Sequence, residues 1–384
     1  MTQKTTDAVV FEPEYLYKLI DIYKVTKMSA LLKNEINREE RAVGAIMGVM
    51  VGDALGMGMQ WYYNLSEKEA ECGEWVTEYL DPSPERSDFF GNISKYRYNQ
   101  GLRAGDTTQL GEIFALLLNA AATSGKDGFK TDFCAKLDSL FATLSGESLS
   151  GRYTDQMYIK ARKSRLDGHE WGKGTATDET TADCAIYTVI LAAMYSDPLE
   201  LVTVAKDLLG MLMNDRFIVQ NSIIFGLTVQ ALINGVPLLE ISKHIKSLAN
   251  QPKLRMILGA FDNFLTPGYG GTAVGGNAGI WPNPAVRVEP PKHVALLFGL
   301  DCQLTHVLPS AYYLVHRFPT DFENAVLSAS NGGGQNVVRA ASTGALSGAI
   351  LGTSGIPSRY ISGLKGGDDL LKLSLKVASL ARKE

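Results

Sequence analysis

Two segments of this chain carry glycine at every fourth position, and few folds accommodate that pattern. In RAVGAIMGVMVGDALGMG the glycines are Gly44, Gly48, Gly52 and Gly56; in STGALSGAILG they are Gly344, Gly348 and Gly352. An interior helical glycine costs about 1 kcal/mol relative to alanine, so a stripe of them needs a compensating gain. Residues four apart share one helix face, and a face without side chains lets two backbones approach closely. The two helices are therefore expected in the centre of the fold, against each other. The first carries one charged residue, Asp53, among apolar neighbours. A carboxylate there is expensive to bury unpaired, so Asp53 should cap or brace a neighbouring loop or line a cavity.

Most other long segments repeat apolar residues at the three-and-four spacing of amphipathic helices, and very little alternates as a strand would. Examples are Tyr15, Leu16, Leu19, Ile20 and Tyr23, then Leu110, Ile113, Phe114 and Leu117, then Phe133, Leu137, Leu140, Phe141 and Leu144. Further helices are expected over about 180–195, 198–213, 216–234, 237–248, 253–265, 293–317, 321–330 and 337–352, separated by breaks such as Asp197-Pro198, Gln251-Pro252 and Phe318-Pro319. The fold class is all-α. Three irregular stretches, 63–105, 146–179 and the glycine-rich 266–291, hold aromatics such as Trp75, Phe90, Trp171 and Trp281, and loops of that length are where a site belongs.

Composition narrows the function classes. A 45% hydrophobic chain with a formal charge of −4 is neither disordered nor equipped for phosphate backbones, so nucleic acid is not an expected partner. Cys72, Cys134, Cys184 and Cys302 stand far apart with no zinc or disulfide spacing, and the polar start Met1–Glu14 lacks a signal-peptide core. Apolar runs are cut at Asp53, Gln220 and Gln230, short of the roughly 20 residues that span a bilayer. The reading is a cytoplasmic protein with no membrane partner.

Four segments occur in order: GAIMGVMVGDALGMGMQWYY, RAGDTTQLGEIFALLL, MNDRFIVQNSIIFGLTVQALI, and the tail from LPSAYYLVHRFPTDFENAVLSASNGGGQNVVRAAS through GIPSRYISGL. Together they resemble the ADP-ribosylglycohydrolase superfamily over about residues 40–364. Trp61-Tyr62-Tyr63 and Gly332-Gly333-Gly334-Gln335-Asn336 look like the divergent branch that includes J-type crystallins and selenoprotein J. The resemblance implies a compact multi-helical orthogonal bundle with long loops, whose cleft lies where the two glycine-rich helices meet them. On length alone 384 residues suggest two or three domains. With the family pattern running through both stripes, 39–384 should instead be one domain including a C-terminal helix, and 1–38 an N-terminal helical extension.

Active members of that family hold two Mg²⁺ ions in a T-D-D-T loop and a late G-G-D-T-D-T loop, and hard cations want several oxygen ligands. Here Ala104, Gly105, Asp106 and Thr107 stand at the first loop, while Gln335, Asn336, Val337 and Val338 follow Gly333-Gly334 at the second. Gln60 occupies a position where the family often has an acid, and an amide cannot act as a general base. No cofactor is expected, with Mg²⁺ only if the family site is partly kept through Asp53 and Asp106. Asp106 and Gln109 have capping-box spacing ahead of a helix, as do Thr180 and Asp183. Asn331, Gln335 and Asn336 can satisfy backbone groups at the start of the last glycine helix or bind a ligand. The favoured function is an ADP-ribosylglycohydrolase-like protein that is non-hydrolytic, either binding or structural in the manner of a crystallin. The alternative is an adapted hydrolase of an ADP-ribosyl or related glycosidic bond. Candidate ligand-binding residues are Gln60, Trp61, Tyr62, Asp106, Thr107, Asn331, Gln335 and Asn336, around an ADP-ribose-like or nucleoside-like small molecule. Asp178 and Glu179 are the carboxylates left for acid or base work.

Overall fold

The computed structural model describes residues 36–259, 264–267 and 287–382. The Tyr15–Tyr23 stripe and most of the glycine-rich run lie outside the described residues. The helices are α1 (Arg38–Met57), α2 (Leu65–Cys72), α3 (Gly91–Asn99), α4 (Gln109–Thr143), α5 (Gln156–Leu166), α6 (Asp183–Met194), α7 (Pro198–Leu209) and α8 (Arg216–Ile233). They continue with α9 (Ile241–Ala249), α10 (Pro252–Leu258), α11 (Val294–Phe298), α12 (Leu304–Arg317), α13 (Phe322–Ser330), α14 (Asn336–Leu351), α15 (Ser358–Gly363) and α16 (Gly367–Ser379). Among the described residues there is no strand, and the β-structure is two isolated bridges, Thr177 with Met213 and Thr181 with Gln303.

The glycine helices do meet. A Cβ built on Gly48 would stand 2.0 Å from the Gly344 carbonyl oxygen, and one on Gly44 would stand 2.4 Å from that of Gly348. Further along, Gly52 faces Ala340 and Gly56 faces Val337. Numbering rises on α1 as it falls on α14, so the two run antiparallel, and the end of α1 sits beside the start of α14. Every residue of α1 from Arg41 to Met57 is buried. Arginines finish the neighbouring helices: Arg41 donates to the carbonyls of Ala349 and Ile350 at the end of α14, and Arg38 to those of Ala192 and Ala193 at the end of α6. These carbonyls have no intrahelical partner, and a cation complements the negative end of the helix dipole.

One apolar core runs from Ala42 on α1 to Ala378 on α16. Helix α8 is long and apolar enough to cross a membrane, but 78% of its window is buried in the protein. Its two glutamines have internal partners, Gln220 donating to Leu258 O at 2.6 Å and Gln230 to Tyr195 O at 2.8 Å. One expected helix is broken, and two separately read stripes, 110–117 and 133–144, share the kinked helix α4. The segment 293–317 divides at Gly299, whose φ of 129° ends α11, and α4 is kinked at Gly125, where φ is 63°. The irregular stretches contain α2, α3 and α5, whose short polar sequences carry little apolar periodicity.

Candidate functional site

At the end where α1 finishes and α14 begins, a cavity of about 190 Å³ opens between the loops. Four helix starts contribute to its wall: Gln109 and Leu110 of α4, Asp155 to Met157 before and in α5, Thr181 and Asp183 at α6, and Gln335, Val337 and Val338 at α14. Gln60, Arg97, Thr108, Tyr153, Glu179 and Cys302 complete the lining.

A polar relay crosses the site. Arg97, buried on α3, donates to the Gln60 side-chain oxygen at 2.7 Å and to Arg152 O at 3.0 Å, and Gln60 donates to the Gln335 side-chain oxygen at 3.3 Å. The amide at position 60 thus accepts from a guanidinium and donates to a second amide. Burial lowers the Arg97 pKa to about 10, with the Asp155 and Asp53 carboxylates opposing the shift. Beside the relay the Trp61 and Tyr153 rings meet edge-on at 4.7 Å, with the Arg97 guanidinium 4.9 Å and 5.9 Å from them. Trp61 and Tyr153 are also the two non-glycine residues with left-handed backbone among those described, at φ 67° and 78°. Such strain persists only where the surroundings over-determine it. At Trp61 this is visible: its N–H donates to Gly334 O at 2.9 Å while Gly334 N–H donates to Tyr62 O at 2.8 Å.

The carboxyl groups that line the cavity are Asp155, Glu179 and Asp183. Desolvation raises the Asp155 pKa to about 6, with Arg97 opposing, and the Asp183 pKa to about 7, with repulsion from Asp155 adding to it. Glu179 is bound by Lys160. Both aspartates hold protons in the folded state at pH values where an unfolded chain, with aspartate pKa near 3.9, has released them. Stability should therefore fall as pH rises from about 4 through 7, by roughly several kcal/mol for the pair, and level off above. Urea midpoints across that range will show it, and Asp183→Asn should flatten the slope.

The sequence-selected residues divide. Gln60, Gln335 and Glu179 line the cavity, whereas Asp178 is exposed and absent from its wall. Trp61 supports the rim from behind, 5% exposed. Tyr62 is wholly buried, its hydroxyl donating to Glu71 at 2.7 Å and Arg86 lying 3.6 Å from its ring centre. Asn331 does not serve the last glycine helix. It accepts from Val76 N–H and Lys68 and donates to Val76 O and Leu327 O, bracing the loop after α2. Asn336 instead donates to Gly56 O and Ser330 O, joining the ends of α1 and α13.

Neither expected capping box forms. Asp106 accepts from Arg103 N–H at 3.0 Å and lies 3.2 Å from Lys365 and 3.7 Å from Arg152. Thr107 accepts the Arg152 guanidinium at its carbonyl, 2.6 Å away, and Thr108 rather than Asp106 is the N-cap of α4. The cap comes from outside: Asp53, fully buried, accepts from Thr108 N–H (2.6 Å), Thr108 Oγ1 (2.8 Å) and Gly111 N–H (3.0 Å). Asp183 likewise makes no cap bond for α6 and is found in the cavity wall. Its spacing from Thr180 is the misleading signal, as is that of Gln109 from Asp106; Arg97, Tyr153 and Asp155 give none beyond lying in or next to irregular stretches.

The residues present do not fit a dinuclear Mg²⁺ centre. The side chains of Val337 and Val338 offer no oxygen, Asp106 is already held by two cations, and Asp53 is spent on the α4 cap. Among the described residues no three His, Cys, Asp or Glu side chains are grouped so as to hold a metal ion.

A family model described as ADP-ribosylglycohydrolase matches residues 34–384. Among solved structures, a chain titled "ADP-ribosylglycohydrolase-related protein complex" superposes with a TM-score of 0.58 at 16% identity, covering 90% of this chain and 99% of that one. At that identity the likeness shows the fold. No curated protein matches this sequence.

Proposed function

We propose, from the premise that this chain belongs to the ADP-ribosylglycohydrolase family, that it is a non-hydrolytic member whose cleft binds a nucleoside-like or ADP-ribose-like small molecule without metal. The observation that carries this reading is the pair Val337 and Val338 on the cavity wall, at the positions where the resemblance calls for late-loop oxygen ligands. What remains at the site is a set of hydrogen-bonding amides and carboxyls suited to sugar hydroxyls and ring nitrogens. The cavity has room for one ring system, since engineered cavities of about 150 Å³ accept benzene. A ligand as long as ADP-ribose would keep most of its atoms outside.

A second reading, the adapted hydrolase, is favoured by one feature: two carboxyls in one cavity whose surroundings push their pKa values upward, as acid–base catalysis near neutral pH requires. Calorimetric titration with adenosine and with ADP-ribose in excess EDTA separates these readings. Saturable binding, unchanged by Mg²⁺ and with intact ligand recovered afterwards, is expected. Ligand cleavage in EDTA would support the second reading, and Mg²⁺-dependent release of ADP-ribose from a modified protein would overturn both.

A further inference from the structure

The carboxyl groups of the cavity wall outnumber the cations that could offset them. Lys160 holds Glu179. Arg97, the one cation in the wall, has two carboxylates near it, Asp155 and then Asp53, while its own N–H groups go to the neutral oxygens of Gln60 and of the Arg152 backbone. Asp183 is left with no counter-ion. It is 7% exposed, the hydroxyl of Thr181 is its hydrogen-bonding neighbour, and the charges that act on it, from Asp155 and Asp53, both repel. Burying a carboxylate without a partner is costly, and so is setting it beside a second one. The empty site relieves that repulsion by keeping a proton on Asp183; a bound cation relieves it without one.

The wall also limits which cation fits. A hard metal ion wants six or more oxygen ligands, or nearly so, and among the described residues no three acidic, histidine or cysteine side chains are grouped to supply them. An organic cation spreads its charge over a ring and needs no such shell. The cavity, at about 190 Å³, holds one ring system, and the Tyr153 ring forms part of its lining. An aromatic face attracts a cation laid against it, and the attraction grows where water is excluded. Tyr153 is fixed in place by its left-handed backbone and by the edge of Trp61, 4.7 Å away between ring centres. Two carboxyls and an aromatic ring thus converge on a space the size of one flat heterocycle.

We propose that the cleft takes a planar heterocyclic cation, the ring of a pyridinium or N-alkylated purine nucleoside, with Asp183 and Asp155 as its counter-ions and Tyr153 as its aromatic wall. This rests on the binding reading above and names its ligand class. Calorimetry of the full chain in EDTA tests it with two probes of one outline: 1-methylnicotinamide, a pyridinium, and 3-methylbenzamide, its uncharged counterpart. The wild-type chain should prefer the cation by about tenfold or more. Asp183→Asn keeps the shape and removes the charge, so it should bring the two affinities to within about threefold of each other by weakening the cation alone. Its melting temperature at neutral pH should not fall, because a buried carboxyl without a counter-ion has been made neutral. An aspartate with a purely structural role would give the opposite, a lower melting temperature with the preference kept. Asp155→Asn is the second variant should the first fold poorly, and it too should weaken the cation alone. Equal binding of the two probes, or a preference that survives both substitutions, overturns the cation assignment and leaves the binding cleft standing. Failure of both probes while adenosine or ADP-ribose binds does the same. Absence of binding by all four overturns both readings.

Discussion

Gly48→Ala is expected to destabilise the protein by about 3 kcal/mol or more, and Gly48→Leu to prevent folding. The added Cβ would stand 2.0 Å from the Gly344 carbonyl oxygen and 2.5 Å from its carbonyl carbon. Backbone cannot rotate aside as a side chain can, so the two helices must separate along the seam. Interiors are packed at crystal-like density, and that separation opens voids around Val49, Ala340 and Ala345, all buried. Gly344→Ala should cost as much, because the contact is reciprocal at 2.0 Å. Gly128→Ala is the control. It lies in the interior of α4, and its Cβ would meet nothing closer than the Ser124 side chain at 3.1 Å. There the change should be neutral or stabilise by up to about 1 kcal/mol. Equal losses at Gly48 and Gly128 in urea denaturation would show that the stripe is not a packing seam.

Asp53→Ala should lower stability by about 3 kcal/mol, and the loss should be the same in EDTA and in Mg²⁺. The carboxylate accepts two backbone N–H groups and one hydroxyl at the start of α4, all inside the protein. Removing it leaves Thr108 and Gly111 with buried donors that water cannot reach, each costing about 1–3 kcal/mol. Gly111 fits this pairing, since a Cβ there would lie 2.9 Å from the Asp53 carboxyl carbon. Asp53→Asn keeps the shape and one acceptor, so an intermediate loss is expected. A Mg²⁺-dependent loss in either variant would assign Asp53 to a metal instead.

The parts of the fold that were legible before the structure are those written in local periodicity. The glycine stripes point to a close helix pair because glycine at every fourth residue has few other uses, and Asp53 points to a cap, a brace or a cavity wall because an unpaired carboxylate there is untenable; the structure makes it the brace. The site was less legible. Capping-box spacing at Asp106–Gln109 and at Thr180–Asp183 is a local signal, and tertiary partners displaced it in both places. Asp53 reached α4 from a segment 55 residues away, leaving Asp106 to Lys365 and Gln109 to the cavity. Arg97, Tyr153 and Asp155 come from short polar helices and loops whose packing depends on the whole bundle. Left-handed backbone at Trp61 and Tyr153 has no sequence signature, because neither residue type favours it.

If this cleft binds its ligand without metal, as proposed, titrating the full chain with Mg²⁺ in a calorimeter, on protein first stripped with EDTA, will show it. No saturable heat is expected up to millimolar Mg²⁺, and adenosine and ADP-ribose titrations should superimpose with and without the ion. Saturable binding of two Mg²⁺ per chain, lost in Asp106→Asn and accompanied by tighter ADP-ribose binding, would contradict it.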